Sequence, residues 1–311
     1  ESFDKRLIDA IAQGFSDFSN KKFNLCPIQT MGAPPMAPFA EDVEEYAAQV
    51  CVKSGYITGD KYFVLKVAGG GKPMPNTGVM QLFSQESGQM LALLCDQGVL
   101  TELRTAAAGA VAAKYLGPKE VCKIGMIGTG IQARYQLRFI KHIYACRSVI
   151  IWGRTKDNIE ELKQELQQEG WSVEVAISTE AMVESCDLII TTTSSRKSLL
   201  HSPVSPTKPL LIICIGADSV GKQEISVDTV QTAGLLVCDS LAQTKERGEF
   251  QHAIREGRVT IDSIVEIGTV VANGNPTSNG TQAGALTIFD SSGVAIQDCV
   301  VAKMAYEELV G

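Results

Sequence analysis

Ile124-Gly125-Met126-Ile127-Gly128-Thr129-Gly130-Ile131-Gln132-Ala133 reads as an apolar strand, a glycine turn and the start of a helix expected to run to about residue 143. In that setting G-x-G-x-x-A is a dinucleotide cradle: Gly128 permits the tight turn, Gly130 lets the backbone approach the phosphates, and Ala133 lets the helix pack close to the strand. The pyrophosphate then sits on the helix N-terminus, where free N–H groups and the helix dipole favour an anion. Gly128, Thr129, Gly130, Ile131, Gln132 and Ala133 are therefore the first cofactor-binding candidates.

Downstream the pattern alternates regularly: strands over 148–152, 173–176, 188–192, 210–215 and 235–238, with helices over 157–168 and 179–185. Strand and helix in turn predict a parallel sheet covered on both faces, which makes the fold class α/β with a Rossmann-type doubly wound sheet. Upstream the reading is different. A helix over 3–18, with Phe3, Leu7, Ile8, Ile11 and Phe15 on one side, precedes strands over 63–67 and 79–83, a turn-rich loop over 69–78 and a turn at Ser87-Gly88 leading into 90–95. This predicts a smaller α+β domain. The glycine- and asparagine-rich stretch over 273–280 marks the far boundary, after which a helix over 294–310 is expected to pack Val300, Val301, Met304 and Leu309 back onto the N-terminal domain. The expected division is residues 1–118 and 285–311 in the smaller domain and 119–284 in the dinucleotide-binding domain.

Composition narrows the ligands. The chain has 311 residues, is 45% hydrophobic and 20% charged, and carries a net charge of −7. Without a basic block, nucleic acid and anionic membrane surfaces are poor partners, so a small molecule is expected. No apolar run approaches the roughly 20 residues of a membrane span, and the first five residues do not read as a signal peptide. Nine scattered cysteines without a C-x-x-C pair speak for reduced thiols in a cytoplasmic setting and against a metal site.

The strand over 148–152 ends in Trp152-Gly153-Arg154-Thr155-Lys156. An acid near this tip would bind the ribose hydroxyls of NAD, whereas an arginine accepts the 2′-phosphate of NADP. Gly153, Arg154 and Thr155 therefore favour NADP(H), with NAD(H) possible. Thr192 and Thr193 at the end of the strand over 188–192, Asp218 after the strand over 210–215, and Ser291 and Gly293 complete the cofactor candidates.

The order of segments resembles the ornithine cyclodeaminase/mu-crystallin family over nearly the whole chain. Asp96-Gln97-Gly98-Val99-Leu100-Thr101-Glu102-Leu103-Arg104-Thr105-Ala106-Ala107-Ala108 carries the most specific likeness, joined by Lys66, the glycine turn, Trp152-Gly153-Arg154-Thr155, residues 216–224 and Glu266-Ile267-Gly268. Residues 51–56 and 66–70 are most similar to the cyclodeaminase-like branch associated with ectoine utilisation. The resemblance implies a homodimer built through the smaller domains, which would then be substrate-binding and dimerisation domains, and hydride exchange with the α-carbon of an amino acid or imine. It implies Lys66 as proton relay, Arg104 as carboxylate fork and Asp218 as the acid that holds the amino group or activates water, with Thr105 also near the substrate. Gln29 stands where relatives usually carry a carboxylate-binding arginine, and Asp290 where many have lysine. Lys222 and Glu224 read either as supporting partners of the site residues or as solvent-facing charges, the second reading being preferred. Three functions follow: an NAD(P)H-dependent imine reductase or amino-acid dehydrogenase, of which an opine-forming enzyme is a variant; an ornithine-cyclodeaminase-type ammonia-lyase using bound NAD; and a non-catalytic crystallin-like binder of NADPH or a small ligand.

Overall fold

A computed structural model of the chain describes residues 2–32, 48–71, 77–201, 208–274 and 286–311. The expected loop residues 72–76 and 275–280 lie outside them. The first helix, α1 (Phe3–Ser19), starts where the Ser2 hydroxyl accepts from the Lys5 amide. Its apolar face (Leu7, Ile8, Ile11, Phe15) is wholly buried, each side chain worth about 1.5–3 kcal/mol of transfer free energy. Strands β1 (Phe23–Leu25), β2 (Gln29–Met31), β3 (Ala48–Ile57), β4 (Tyr62–Gly71), β5 (Thr77–Ser84) and β6 (Met90–Leu94) form one antiparallel sheet, in the order β1-β3-β4-β5-β6 with β2 also on β3. The turn between β3 and β4, with Gly59 at φ +82°, sets a register that pairs Lys53 with Lys66.

Helix α2 (Val99–Leu116) carries six alanines between 106 and 113 that are fully buried, and it packs on α1 and on the first helix after the glycine turn. The parallel sheet follows: β7 (Ile124–Ile127), α3 (Ile131–Ile140), β8 (Ser148–Trp152), α4 (Lys156–Gln168), β9 (Ser172–Val175), α5 (Glu180–Ser185), β10 (Leu188–Thr191) and β11 (Leu210–Cys214). Then come α6 (Val227–Thr232), β12 (Leu235–Cys238), α7 (Leu241–Thr244), α8 (Gln251–Arg255), β13 (Ile264–Glu266), α9 (Ile267–Asn273), β14 (Leu286–Asp290) and α10 (Ala295–Val310). The strand order is β13-β12-β14-β11-β10-β7-β8-β9, every pair parallel. The fold is α/β with a doubly wound parallel sheet beside an antiparallel one. The order in which strands are added reverses between β7 and β10, so the crevice at their carboxyl ends is the ligand position of such a sheet.

Two boundaries move. Helix α3 ends at Ile140 rather than near 143. The expected domain change at residue 285 precedes β14, yet β14 sits between β11 and β12 in the parallel sheet, where its apolar Leu286, Ile288 and Phe289 are buried. The chain leaves this sheet only after Asp290, and α10 then packs on α1, α2, β3 and β4. No helix among the described residues is long and apolar enough to cross a membrane, and all nine cysteines are free thiols.

Candidate active site

The glycine turn has the geometry of a cradle. Gly128 stands at φ +116°, and a Cβ there would come within 2.5 Å of the Thr192 hydroxyl. Gly130, the N-cap of α3, has no side-chain cap, and a Cβ on it would meet nothing within 4 Å. The helix N-terminus thus offers uncapped N–H groups to an anion, and Ala133 is buried against the strand as expected. Gln132 departs from expectation. Its amide donates to the Glu102 carboxylate and backbone carbonyl, tying α3 to α2 instead of reaching outward. At the tip of β8, Arg154 and Thr155 are exposed, and Arg154 has no ion-pair partner among the described residues. These residues fit a dinucleotide: Gly128–Gln132 would hold its pyrophosphate and Gly153–Thr155 its adenosine ribose.

A second group gathers where β3, β4, α2 and α10 meet. Lys66 is 2% exposed and its Nζ stands 2.9 Å from Asp298 Oδ1. Arg104 Nε is 3.1 Å from the same oxygen, and its Nη1 donates to Gln297 Oε1 at 3.0 Å. Lys53, buried on β3 opposite Lys66, donates to Gly293 O at 2.5 Å and Ser292 O at 3.3 Å. Two cations thus pair with one buried carboxylate, and Lys53 acts on it through space. Burial, helped by Arg104 and Lys53 and opposed by Asp298, lowers Lys66 to about 8. Burial and then Arg104 also lower Lys53. Burial works against the charge of Asp298, but Lys66, Arg104 and Lys53 hold its carboxyl below the usual range.

Asp218 stands beside this group without bonding to it. Its partner is Lys222, 2.6 Å away, and its side chain is 54% exposed. Desolvation by the cleft wall opposes ionisation, yet Lys222 first and Lys53 next bring its carboxyl to about 2. It is an ionised acid facing cations. Thr105 is half-buried and uses its carbonyl to accept from Gln136.

Four expectations need correction. Gln29 is exposed on β2 and paired in register with Val52, away from Lys66 and Arg104; Lys53, one residue along β3, brings the cation that Gln29 cannot. Ser291 and Gly293 are buried, their contacts turned inward: Ser291 Oγ and Gly293 N donate to Asp239, and a Cβ on Gly293 would come within 2.9 Å of Arg104 Nη1. They shape the cation group more directly than the dinucleotide cradle. Glu224 is not solvent-facing but fully buried, accepting from Thr191 Oγ1, Thr193 N and Oγ1, and Gly216 N at 2.6–2.8 Å. It staples the ends of β10 and β11 at the crevice, so Thr193 spends its hydroxyl on this staple. Asp290 points to Thr244 Oγ1 and Glu249 N, away from the cleft.

Sequence reading missed Lys53 and Asp298. Lys53 was open to inference, since counting outward from the Gly59 turn places it across from Lys66. Asp298 carried no such signal, because it meets Lys66 across 232 residues.

Comparison with known proteins agrees with this architecture. The profile of the ornithine cyclodeaminase/mu-crystallin family matches residues 5–311. An alanine dehydrogenase of Archaeoglobus fulgidus is 36% identical over 231 residues, covering 74% of this chain and 69% of that protein. A Sinorhizobium fredii protein named as an uncharacterised cyclodeaminase is 34% identical over 275 residues, covering 86% and 82%. The crystal structure of the iminosuccinate reductase of Paracoccus denitrificans in complex with NAD+ superposes with a TM-score of 0.83 at 29% identity, over 99% of this chain and 94% of that one. With a family profile that spans nearly its whole length, this chain belongs to the ornithine cyclodeaminase/mu-crystallin family.

Proposed function

We propose that the protein is an NAD(P)H-dependent oxidoreductase that reduces the imine carbon of an amino-acid-derived imine, or runs the reverse oxidation of an amino acid. The observation that carries this reading is the convergence of Lys53, Lys66 and Arg104 around Asp298, next to the loop at 291–294 that leaves the carboxyl end of β14. Arg104, with Lys53, suits the substrate carboxylate, since a planar fork and an ammonium both complement an anion. Lys66, lowered to about 8, holds a transferable proton near neutral pH and passes it to the imine nitrogen, making the carbon electron-poor. Asp218, ionised and half-exposed, steadies the cationic nitrogen. A reduced nicotinamide bound at the glycine cradle supplies the hydride. NADPH is the favoured cofactor, because the tip of β8 offers Arg154 and Thr155 and no carboxylate to a ribose. Nine free thiols suit a reducing, cytoplasmic compartment.

The test is absorbance loss from NADPH, and separately NADH, on adding cyclic imines or 2-oxo acids with ammonia or amines. Consumption of reduced cofactor supports the reading. Ammonia release from ornithine with catalytic cofactor, and no net consumption, replaces it with the lyase. Cofactor binding with neither activity favours the non-catalytic binder.

A further inference from the structure

We propose that Asp298 is the positioning residue of this site: one of its carboxylate oxygens fixes both the Lys66 ammonium and the Arg104 guanidinium, and so sets where proton donor and carboxylate fork stand. This inference rests on the imine-reduction reading and adds to it a residue that touches neither substrate nor cofactor. Asp298 is 1% exposed; its Oδ1 accepts from Lys66 Nζ at 2.9 Å and forms an ion pair with Arg104 Nε 3.1 Å away without a hydrogen bond, while Oδ2 has no hydrogen-bond partner. A buried carboxylate with an unpartnered oxygen is a poor way to anchor a helix, because burying a polar atom without a hydrogen bond costs stability that an apolar side chain would not lose. Its retention makes sense if the charge itself is used.

The connection to the cofactor side is short. Helix α10 begins at Ala295, directly after the loop that leaves β14. Asp239, at the end of β12, accepts from Ser292 Oγ and Gly293 N and pins that loop to the parallel sheet. Gln297 Oε1 accepts both the Val294 amide and Arg104 Nη1. Asp298 therefore indexes two side chains of the antiparallel-sheet side to the carboxyl edge of the parallel sheet. The charged or titratable groups facing Lys66 are Arg104 and Glu102 of α2, Lys53 of β3, and Asp298 and Cys299 of α10. Asp298 is the carboxylate in contact with it among the described residues, and it keeps the proton on Lys66 against burial, Arg104 and Lys53.

The test uses Asp298→Asn and Asp298→Glu in the full chain with lysine 13Cε labelling, the Lys66 resonance being identified by its loss in Lys66→Met. In Asp298→Asn the proton affinity of Lys66 is expected to fall by about tenfold or more. With a substrate in hand, kcat falls by about 30-fold or more, its alkaline limb moves to lower pH, and the Kd for NADPH stays within about twofold because the dinucleotide cradle is untouched. An unchanged Lys66 titration in a folded Asp298→Asn protein overturns the proposal. If that variant does not fold, Asp298→Glu decides: a Lys66 midpoint displaced by more than about half a pH unit supports the proposal, and an unmoved one overturns it. A wild-type protein inactive on every imine would sink the proposed reaction, but the titration needs no substrate and still decides on Asp298.

Discussion

Lys66 and Arg104 lean on the same oxygen yet should fail differently when replaced. Lys66→Met removes the proton donor, and kcat/KM for imine reduction is expected to fall by about 10²–10⁴. Arg104→Lys keeps the charge but loses the two-pronged fork, so KM for the acid substrate rises about tenfold with a smaller change in kcat. The pH dependence follows from Lys66 at about 8: reduction needs the ammonium, so its rate holds below that value and declines as pH rises through it, while the reverse oxidation gains. Steady-state profiles in both directions check the sign. Asp290 gives a separate test on stability. Burial first, and then Asp239, raise its carboxyl from 3.8 to about 8. The folded state therefore keeps a proton that the unfolded chain has lost, and this group's contribution is fully present below 3.8 and drains away as pH rises toward 8. Asp290→Asn cannot ionise, so its Tm advantage over the wild type should widen between pH 5 and pH 8; a constant difference would show that Asp290 is not held protonated.

At the scale of the element, the glycine turn of β7 and α3 separates a residue needed for folding from one needed for a ligand. Gly128→Ala forces a side chain into φ +116° and against Thr192, and should cost about 1–2 kcal/mol of stability. Gly130→Ala meets no atom of the protein, so its cost should stay under about 1 kcal/mol while the Kd for the dinucleotide rises about tenfold or more. Thermal unfolding with cofactor titration distinguishes the two. The exposed tip of β8 decides between cofactors: Arg154→Ala should weaken NADPH by about 10- to 100-fold, the worth of a charge-assisted hydrogen bond, and leave NADH nearly unchanged. Equal loss of both would remove the argument for NADP(H).

For the whole molecule, the antiparallel sheet ends on β6, where Met90 is 58%, Leu91 41% and Leu93 50% exposed. An apolar edge strand left open invites another chain, and we propose that a second copy of this chain covers it as a homodimer. Light scattering should give about twice the chain mass, reduced to the monomer by Leu91→Lys with Leu93→Lys; a wild-type monomer would discard the idea. The sequence alone determined the dinucleotide cradle and the parallel sheet, because both are written in local order: an apolar strand, glycines at set spacing, a helix, then repetition. It also set Lys66 on a strand and Arg104 near a helix start, elements whose patterns are local, while the resemblance supplied their expected roles. The α10 packing on the N-terminal elements followed from apolar residues such as Val301 that needed cover, although Leu309, expected on the same face, is 76% exposed. What only the tertiary structure decided is what these residues meet. Glu224 looks like a surface charge until the ends of β10 and β11 surround it, and β14 joins its sheet by long-range pairing that spacing does not reveal. Lys53 requires a hairpin register, and Asp298 requires α10 to pack back on β3, β4 and α2 after the chain leaves the parallel sheet. Electrostatic pairing depends on distance in space, and a chain brings charges from its two ends to within 3 Å only once both sheets are packed.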